Sequence, residues 1–340
     1  MKQEHFTDLL NIPDLPAYMM RTQNMIEDTV LAGNSTLHSA SSRLIKSSGK
    51  RLRPIFVIAA ASSQGGVIDD TVIASCAAIE LVHIGTLVHD DIIDEADVRR
   101  GVPTVSAVEG ANAAILVGDY LLALGSAKAV TVNKEVAYTV ASTVAEMCIG
   151  QSQESDDNYN TERSIDSYLA TIHKKTATLL SAACRVGAIC AGLSDKEVEA
   201  FAKYGEAFGM AFQIADDLLD LISTTEALGK PVGNDIKEGV YTLPLLIASK
   251  GSKEKIKVLL GEGPNSHAKH EAIVAILLRD GALEMTLARI REYNAIAANS
   301  LRIFDQTNVI KGLSELPEIY LEWVLKKQTV LHDDVSANPI

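Results

Sequence analysis

The chain has 340 residues, a formal net charge of −13 and a pI near 5.1. That balance argues against nucleic acid as a partner, because phosphate backbones need basic surfaces, but it leaves room for a small anionic substrate met by metals and local Arg or Lys groups. Apolar residues make up 47% of the chain and aromatics only 5%, so the core must be built from Ala, Leu, Ile and Val, a mixture suited to closely packed helices.

The opening MKQEHFTDLLNIPDLP has no basic start followed by an apolar stretch, so no secretory signal is expected. No uninterrupted apolar run reaches about 18 residues, so no transmembrane segment is expected. Cys76, Cys148, Cys184 and Cys190 follow neither zinc nor thioredoxin-like spacing, which predicts free thiols in a reducing cytoplasm.

Helices are predicted over about 15–46, from Pro54 onward, and over about 69–94, 110–130, 134–153, 164–191, 195–222, 241–250, 269–300 and 316–330. No proline falls between Pro103 and Pro231, so nothing interrupts the long helices there. Turn signals separate them, including SQGGVIDD, RRGVPT, DDNYNTERS, AGLSDKE, LGKPVGND and GEGPNSH. No stretch alternates like a half-buried strand. The expectation is an all-α single domain over 1–340, with its chemistry in about 45–245 and a frayed tail at about 332–340.

SSGKRLRPIFVIAAA places Lys50, Arg51 and Arg53 at a helix start, with Gly49 supplying the turn and Pro54 near the first helical position. Free backbone N–H groups there favour an anion, although a basic cluster is also an ordinary solvated patch. Next comes LVHDDIIDEADVRRG, with Asp90, Asp91 and Asp94 in a D-D-x-x-D pattern and His83 two turns earlier on the same face. Carboxylates four apart share a helix face and repel one another. One such motif alone is more often a solvated helix end; a second copy in apolar sequence reverses that and favours divalent cations, which bridge carboxylates to phosphate. Arg99 and Arg100 either neutralise this cluster or bind phosphate themselves.

IHKKTATLL supplies Lys175 and Thr176 at the edge of an apolar helix. FQIADDLLDLI supplies the second motif: Gln213, Asp216, Asp217 and Asp220 form one stripe at i, i+3, i+4 and i+7. Lys230 in LGKPVGND either reaches back to a phosphate or is an exposed loop lysine.

These segments, with GDYLL and GKPVGNDIKEGVYTLP, occur in the order seen in the trans-prenyl diphosphate synthases, and the chain resembles that family. The resemblance implies an isoprenoid synthase type I fold, a bundle of mostly antiparallel helices around a deep central cavity, and a homodimer. It implies head-to-tail condensation of isopentenyl diphosphate with an allylic diphosphate by ionisation, condensation and proton loss. Asp90, Asp91, Asp94, Asp216 and Asp220 would hold Mg²⁺, about three ions. Arg99, Lys175 and Lys230 would neutralise the allylic diphosphate, and Lys50, Arg53, His83 and Arg100 would bind isopentenyl diphosphate. Thr176 and Gln213 would contact substrate, and Asp90, Asp91, Lys175, Gln213 and Asp216 would form the catalytic set. Asp217 belongs to the motif with a less certain role as a ligand. One departure is Val240, where the family often has lysine in G-K-x-T-L-P; Lys237 or Lys230 could substitute.

Short-chain relatives have bulky aromatics four and five residues before the first motif. Thr86 and Gly85 occupy those positions here, with Val82 a turn further, so a growing chain could pass. Helices of this length line a tunnel for roughly six to ten isoprene units, a product suited to quinone side chains and destined for a membrane. A medium-chain farnesyl or geranylgeranyl synthase is the alternative. Less favoured are a class I terpene cyclase, against which Lys50, Arg53 and His83 argue, and a catalytic subunit requiring a small partner.

Overall fold

The structure is a computed structural model that describes residues 3–31, 35–47, 49, 51–99, 101–222, 233–261 and 267–329. Their contacts separate into two compact units. The first comprises 1–146, 178–205 and 300–314, and the second 147–177, 206–299 and 315–340.

In the first unit, α1 (Gln3–Leu10), α2 (Leu15–Leu31) and α3 (Ser35–Ser47) precede α4 (Leu52–Ser62) and α5 (Asp70–Ile93). Every residue of α4 from Pro54 to Ala61 is buried. The helix begins two residues before Pro54, which is tolerated because first-turn amides have no intrahelical acceptor. Asp69 caps α5 by accepting hydrogen bonds from Thr71 N at 2.9 Å and Val72 N at 3.1 Å. Both α5 and α7 (Ala111–Val130) are long and apolar enough to cross a membrane, but α5 is a mainly buried core helix. Ile26, Val30, Leu44, Ile45, Leu81, Ile84, Val117 and Leu121 form a continuous buried cluster across α2, α3, α5 and α7. Burial of each such side chain stabilises the unit by about 1.5–3 kcal/mol.

An unexpected two-stranded antiparallel ladder follows α5, with β1 (Val98–Arg99) paired to β2 (Val102–Pro103). It is too short for alternation to register in sequence. Gly101 takes the left-handed conformation that closes it, and Thr104 then caps α6 (Val105–Glu109). The chain continues into α8 (Lys134–Asp156), which runs on into the second unit.

In the second unit, the helix expected over about 164–191 is interrupted. Ser164 caps α9 (Ile165–Ile172), a π-helical turn occupies His173–Ala177, and α10 (Thr178–Cys190) resumes in the first unit. Next, α11 (Asp195–Ile222) runs from the first unit into the second. The short α12 (Asn234–Glu238) leads to α13 (Leu243–Gly261), which kinks at Ser252 with φ −124° and ψ 28°, so its first segment ends close to the predicted 250. The helix predicted over 269–300 divides into α14 (His267–Arg279) and α15 (Ala282–Ser300), with Gly281 left-handed at the break.

The last helix, α16 (Asn308–Thr329), starts earlier than expected and carries Pro317 inside it. A proline at that position frees the carbonyl four residues earlier. The Tyr204 hydroxyl donates to that carbonyl, Leu313 O, at 2.7 Å, so the interior proline leaves no orphaned acceptor. Further along α16, Tyr320 stacks on Phe212 of α11 and on Trp323. The four cysteines are all free thiols.

Candidate active site

In the first unit, α5 is buried from Val72 to Val82 and then opens along one stripe, with His89, Ile92 and Ile93 also partly or fully exposed near its end. His83, Thr86, Leu87 and Asp90 are partly exposed, while Leu81, Val82, Ile84, Gly85 and Val88 are buried. The spacing of this open stripe is the helical i, i+3, i+4, i+7. Thus the histidine expected on the Asp90 face is there. Gly85 is not: a Cβ on it would lie 3.1 Å from both Gly118 O and Leu122 Cγ of α7. Val82 likewise sits against Gly125 of α7. Of the three positions expected to flank a passage, only Thr86 lies on the open stripe.

Asp90, Asp91 and Asp94 crowd the carboxyl end of α5, with Asp94 at the C-cap. Helix carbonyls make that end electronegative, which disfavours anions and favours cations. Asp94 is exposed and Asp91 is 1% exposed. The β1–β2 turn aims Arg99 back at the helix, where its Nε donates to Asp91 Oδ1 at 2.5 Å. Asp91 Oδ2 is buried without a hydrogen-bond partner among the described residues. Burial raises the Asp91 pKa, and the charge and hydrogen bond of Arg99 oppose the rise. Arg99 is therefore engaged with the acidic cluster itself. His89 packs its ring directly over Gly118, where a Cβ would fall 2.1 Å from Nε2.

The basic segment before α4 divides in its roles. Arg51 has a left-handed backbone with φ 51°, and its side chain enters the unit. It donates to Glu80 Oε1 at 2.9 Å, Gln23 Oε1 at 2.7 Å and Ile45 O at 2.8 Å. Arg51 is thus a buried structural clamp and does not join an anion cluster. Arg53 is partly exposed in the first turn of α4. Lys50, Arg100 and Lys230 lie outside the described residues, as does the tail at 332–340.

In the second unit, Lys175 and Thr176 lie in the π-helical turn, a rare geometry frequent at functional sites. Lys175 Nζ pairs with Glu154 of α8, a partner that nothing in its own stretch of sequence singled out. Thr176 Oγ1 donates to Gln213 Oε1 at 2.9 Å, and Gln213 Nε2 donates to Asp217 Oδ1 at 2.7 Å. The Tyr168 hydroxyl completes the chain, donating to Asp217 Oδ2 at 2.6 Å. Burial pushes Asp217 up to about 7, against the lowering effect of the Tyr168 and Gln213 hydrogen bonds. Asp217 therefore faces inward, while Asp216 is exposed. Asp220 is buried at the end of α11 and anchors the start of α12, accepting from Asp235 N at 3.1 Å. Val240 N donates to Asp235 O at 2.8 Å, and Lys237 is exposed.

No three His, Cys, Asp or Glu side chains already converge as a metal cage among the described residues. The donor chemistry nevertheless fits a hard divalent ion. Both motifs offer only carboxylate oxygens, both lie at electronegative helix ends, and one Asp91 oxygen is buried and unpartnered.

Helix-borne acidic motifs in an all-α isoprenoid synthase type I fold are consistent with a prenyltransferase, the class to which the relatives assign this chain. The Polyprenyl synthetase family model matches residues 34–277, and the chain belongs to that family. It is 38% identical over 266 residues to the "Heptaprenyl diphosphate synthase component 2" of Bacillus subtilis, covering 77% of this chain and 76% of that one. It is also 38% identical over 255 residues to the "Geranylgeranyl diphosphate synthase" of Methanosarcina mazei, covering 73% and 78%. A solved "polyprenyl synthase from Caulobacter crescentus CB15 complexed with calcium and isoprenyl diphosphate" superposes with a TM-score of 0.85 at 31% identity, covering 94% of this chain and 97% of that one.

Proposed function

We propose that this chain elongates an allylic diphosphate with isopentenyl diphosphate to an all-trans product of roughly six to ten isoprene units, for use in quinone side chains. The observation that carries the length is the open stripe of α5, on which small Thr86 follows Asp90 toward the helix interior. The heptaprenyl name of one relative favours this range, and the geranylgeranyl name of another keeps a medium-chain product as the alternative. The preparation is tested with a panel of allylic primers followed by chromatographic sizing. A dominant product of four units or fewer, about 20 carbons, would reverse the assignment.

Asp90, Asp91, Asp94, Asp216 and Asp220 hold Mg²⁺ at the two helix ends, Asp91 through the oxygen that Arg99 leaves unpaired. Bound there, about three Mg²⁺ ions supply positive charge against the diphosphate that leaves. Lys175 serves the same charge, exchanging Glu154 for the diphosphate, and Lys230 is assigned to the same task. Arg53, His83, Lys50 and Arg100 bind isopentenyl diphosphate. Gln213 and Thr176 line the reacting centre through fixed hydrogen bonds. No general base is required, since the departing diphosphate can take the proton.

The chain works as one domain over 1–340 and as a homodimer in the cytoplasm, passing its product to a membrane. Ile115, Leu116 and Val130 of α7 are 46%, 61% and 68% exposed, an apolar face suited to a second copy. A second reading, a catalytic subunit that needs a partner, is favoured by the word "component" in a relative's name. Activity of the purified chain alone separates the two.

A further inference from the structure

The side chain of Asp217 does a different job from its neighbours in the second motif. Both of its oxygens already accept hydrogen bonds, from Tyr168 and from Gln213, and it is 6% exposed. In its ionised form the carboxylate can only accept, so it then admits one orientation of the Gln213 amide, with NH₂ toward Asp217 and oxygen toward Thr176. The flipped amide would set oxygen against carboxylate. Fixing Gln213 in turn fixes Thr176, and with it the π-helical turn that presents Lys175.

Tyr168 is the far anchor of this chain. It is 1% exposed, and its ring lies under the Arg163 guanidinium at 5.5 Å. Arg163 is itself held by Asp157 at 3.1 Å and by Tyr241 O at 3.2 Å. All these groups belong to the second unit. Removing the hydroxyl would leave Asp217 Oδ2 buried with an unmet acceptor, while the ring contacts with Arg163 would remain.

We propose that Tyr168 and Asp217 are positioning residues for the elongation reaction, orienting Gln213 and the turn that carries Thr176 and Lys175, and that Asp217 is not a cation ligand. The assignment rests on the proposed function above. The test compares Tyr168→Phe, Asp217→Asn and Asp216→Asn with the parent. It measures kcat, KM for isopentenyl diphosphate, the Mg²⁺ half-saturation, and calorimetric binding of Mg²⁺ with inorganic pyrophosphate. Tyr168→Phe and Asp217→Asn should lower kcat about tenfold, with KM and Mg²⁺ half-saturation within about twofold of the parent. Asp216→Asn should raise the Mg²⁺ requirement about tenfold or more. A Tyr168→Phe kcat within about twofold of the parent overturns the proposal, as does an Asp217→Asn shift in Mg²⁺ affinity equal to that of Asp216→Asn. A parent that incorporates no isopentenyl diphosphate would sink the proposed function instead, and the calorimetric comparison would still decide the role of Asp217.

Discussion

Thr86→Phe and Gly85→Phe should behave in opposite ways although the residues are adjacent. Thr86 lies on the partly exposed stripe with Asp90, four residues away, or about 6 Å along the helix at about 1.5 Å per residue. An extended isoprene unit of four bonds spans roughly 5 Å, so a phenyl ring there meets the growing chain within about two units of Asp90. Products longer than about two or three units should disappear, with the thermal midpoint little changed. Gly85 instead faces α7, where even a Cβ would lie 3.1 Å from Gly118 O and from Leu122 Cγ. A phenyl ring must push α5 and α7 apart, an overpacking cost of about 1–3 kcal/mol or more. Thermal unfolding and chromatographic product sizing on both variants provide the check. Parental product lengths from Thr86→Phe, or a parental midpoint from Gly85→Phe, would refute this reading of α5.

Arg51→Ala should cost about 3–5 kcal/mol in a denaturant titration, because it strands Glu80, whose side chain is 4% exposed. A loss below about 1 kcal/mol would show that the pair is not a buried clamp. Gly118→Ala should destabilise by about 1–3 kcal/mol through its clash with His89, and adding His89→Ala should recover part of the loss. Equal stability of the single and double variants would exclude that contact. For Asp157, burial raises the pKa, but the Ser167 and Asn160 hydrogen bonds and the Arg163 cation outweigh it and hold the group below its usual range. Its folded pKa is the lower one, so its contribution is present above the unfolded value and lost as pH falls through the folded value. Asp157→Asn should therefore be less stable than the parent near neutral pH, with the gap closing as pH drops below about 4. A gap that is constant with pH would contradict this.

Much of the scaffold was legible because helical periodicity and capping are local. Asp69 ahead of an apolar run marked the start of α5, and the i, i+7 spacing put His83 and Asp90 on the same open stripe. Gln213 and Asp217 do meet across one helical turn, as their spacing implied. What was hidden depends on tertiary context. The small side at Gly85 looked like open space, but it is small because α7 presses on it. Arg51 looked like part of a basic patch, since a left-handed φ that turns it inward leaves no mark in sequence. The π-helical turn was invisible for a similar reason: its residues fit the α-helical pattern on either side. Tyr168 and Glu154 were missed because each matters only through a partner distant in sequence.

The most direct test of the whole account is incubation of the purified chain with Mg²⁺, radiolabelled isopentenyl diphosphate and an allylic diphosphate primer. Label should appear in an elongated, chromatographically longer diphosphate, abolished by EDTA and restored by added Mg²⁺. Consumption of the allylic primer with no label incorporated, or incorporation indifferent to EDTA, would contradict it.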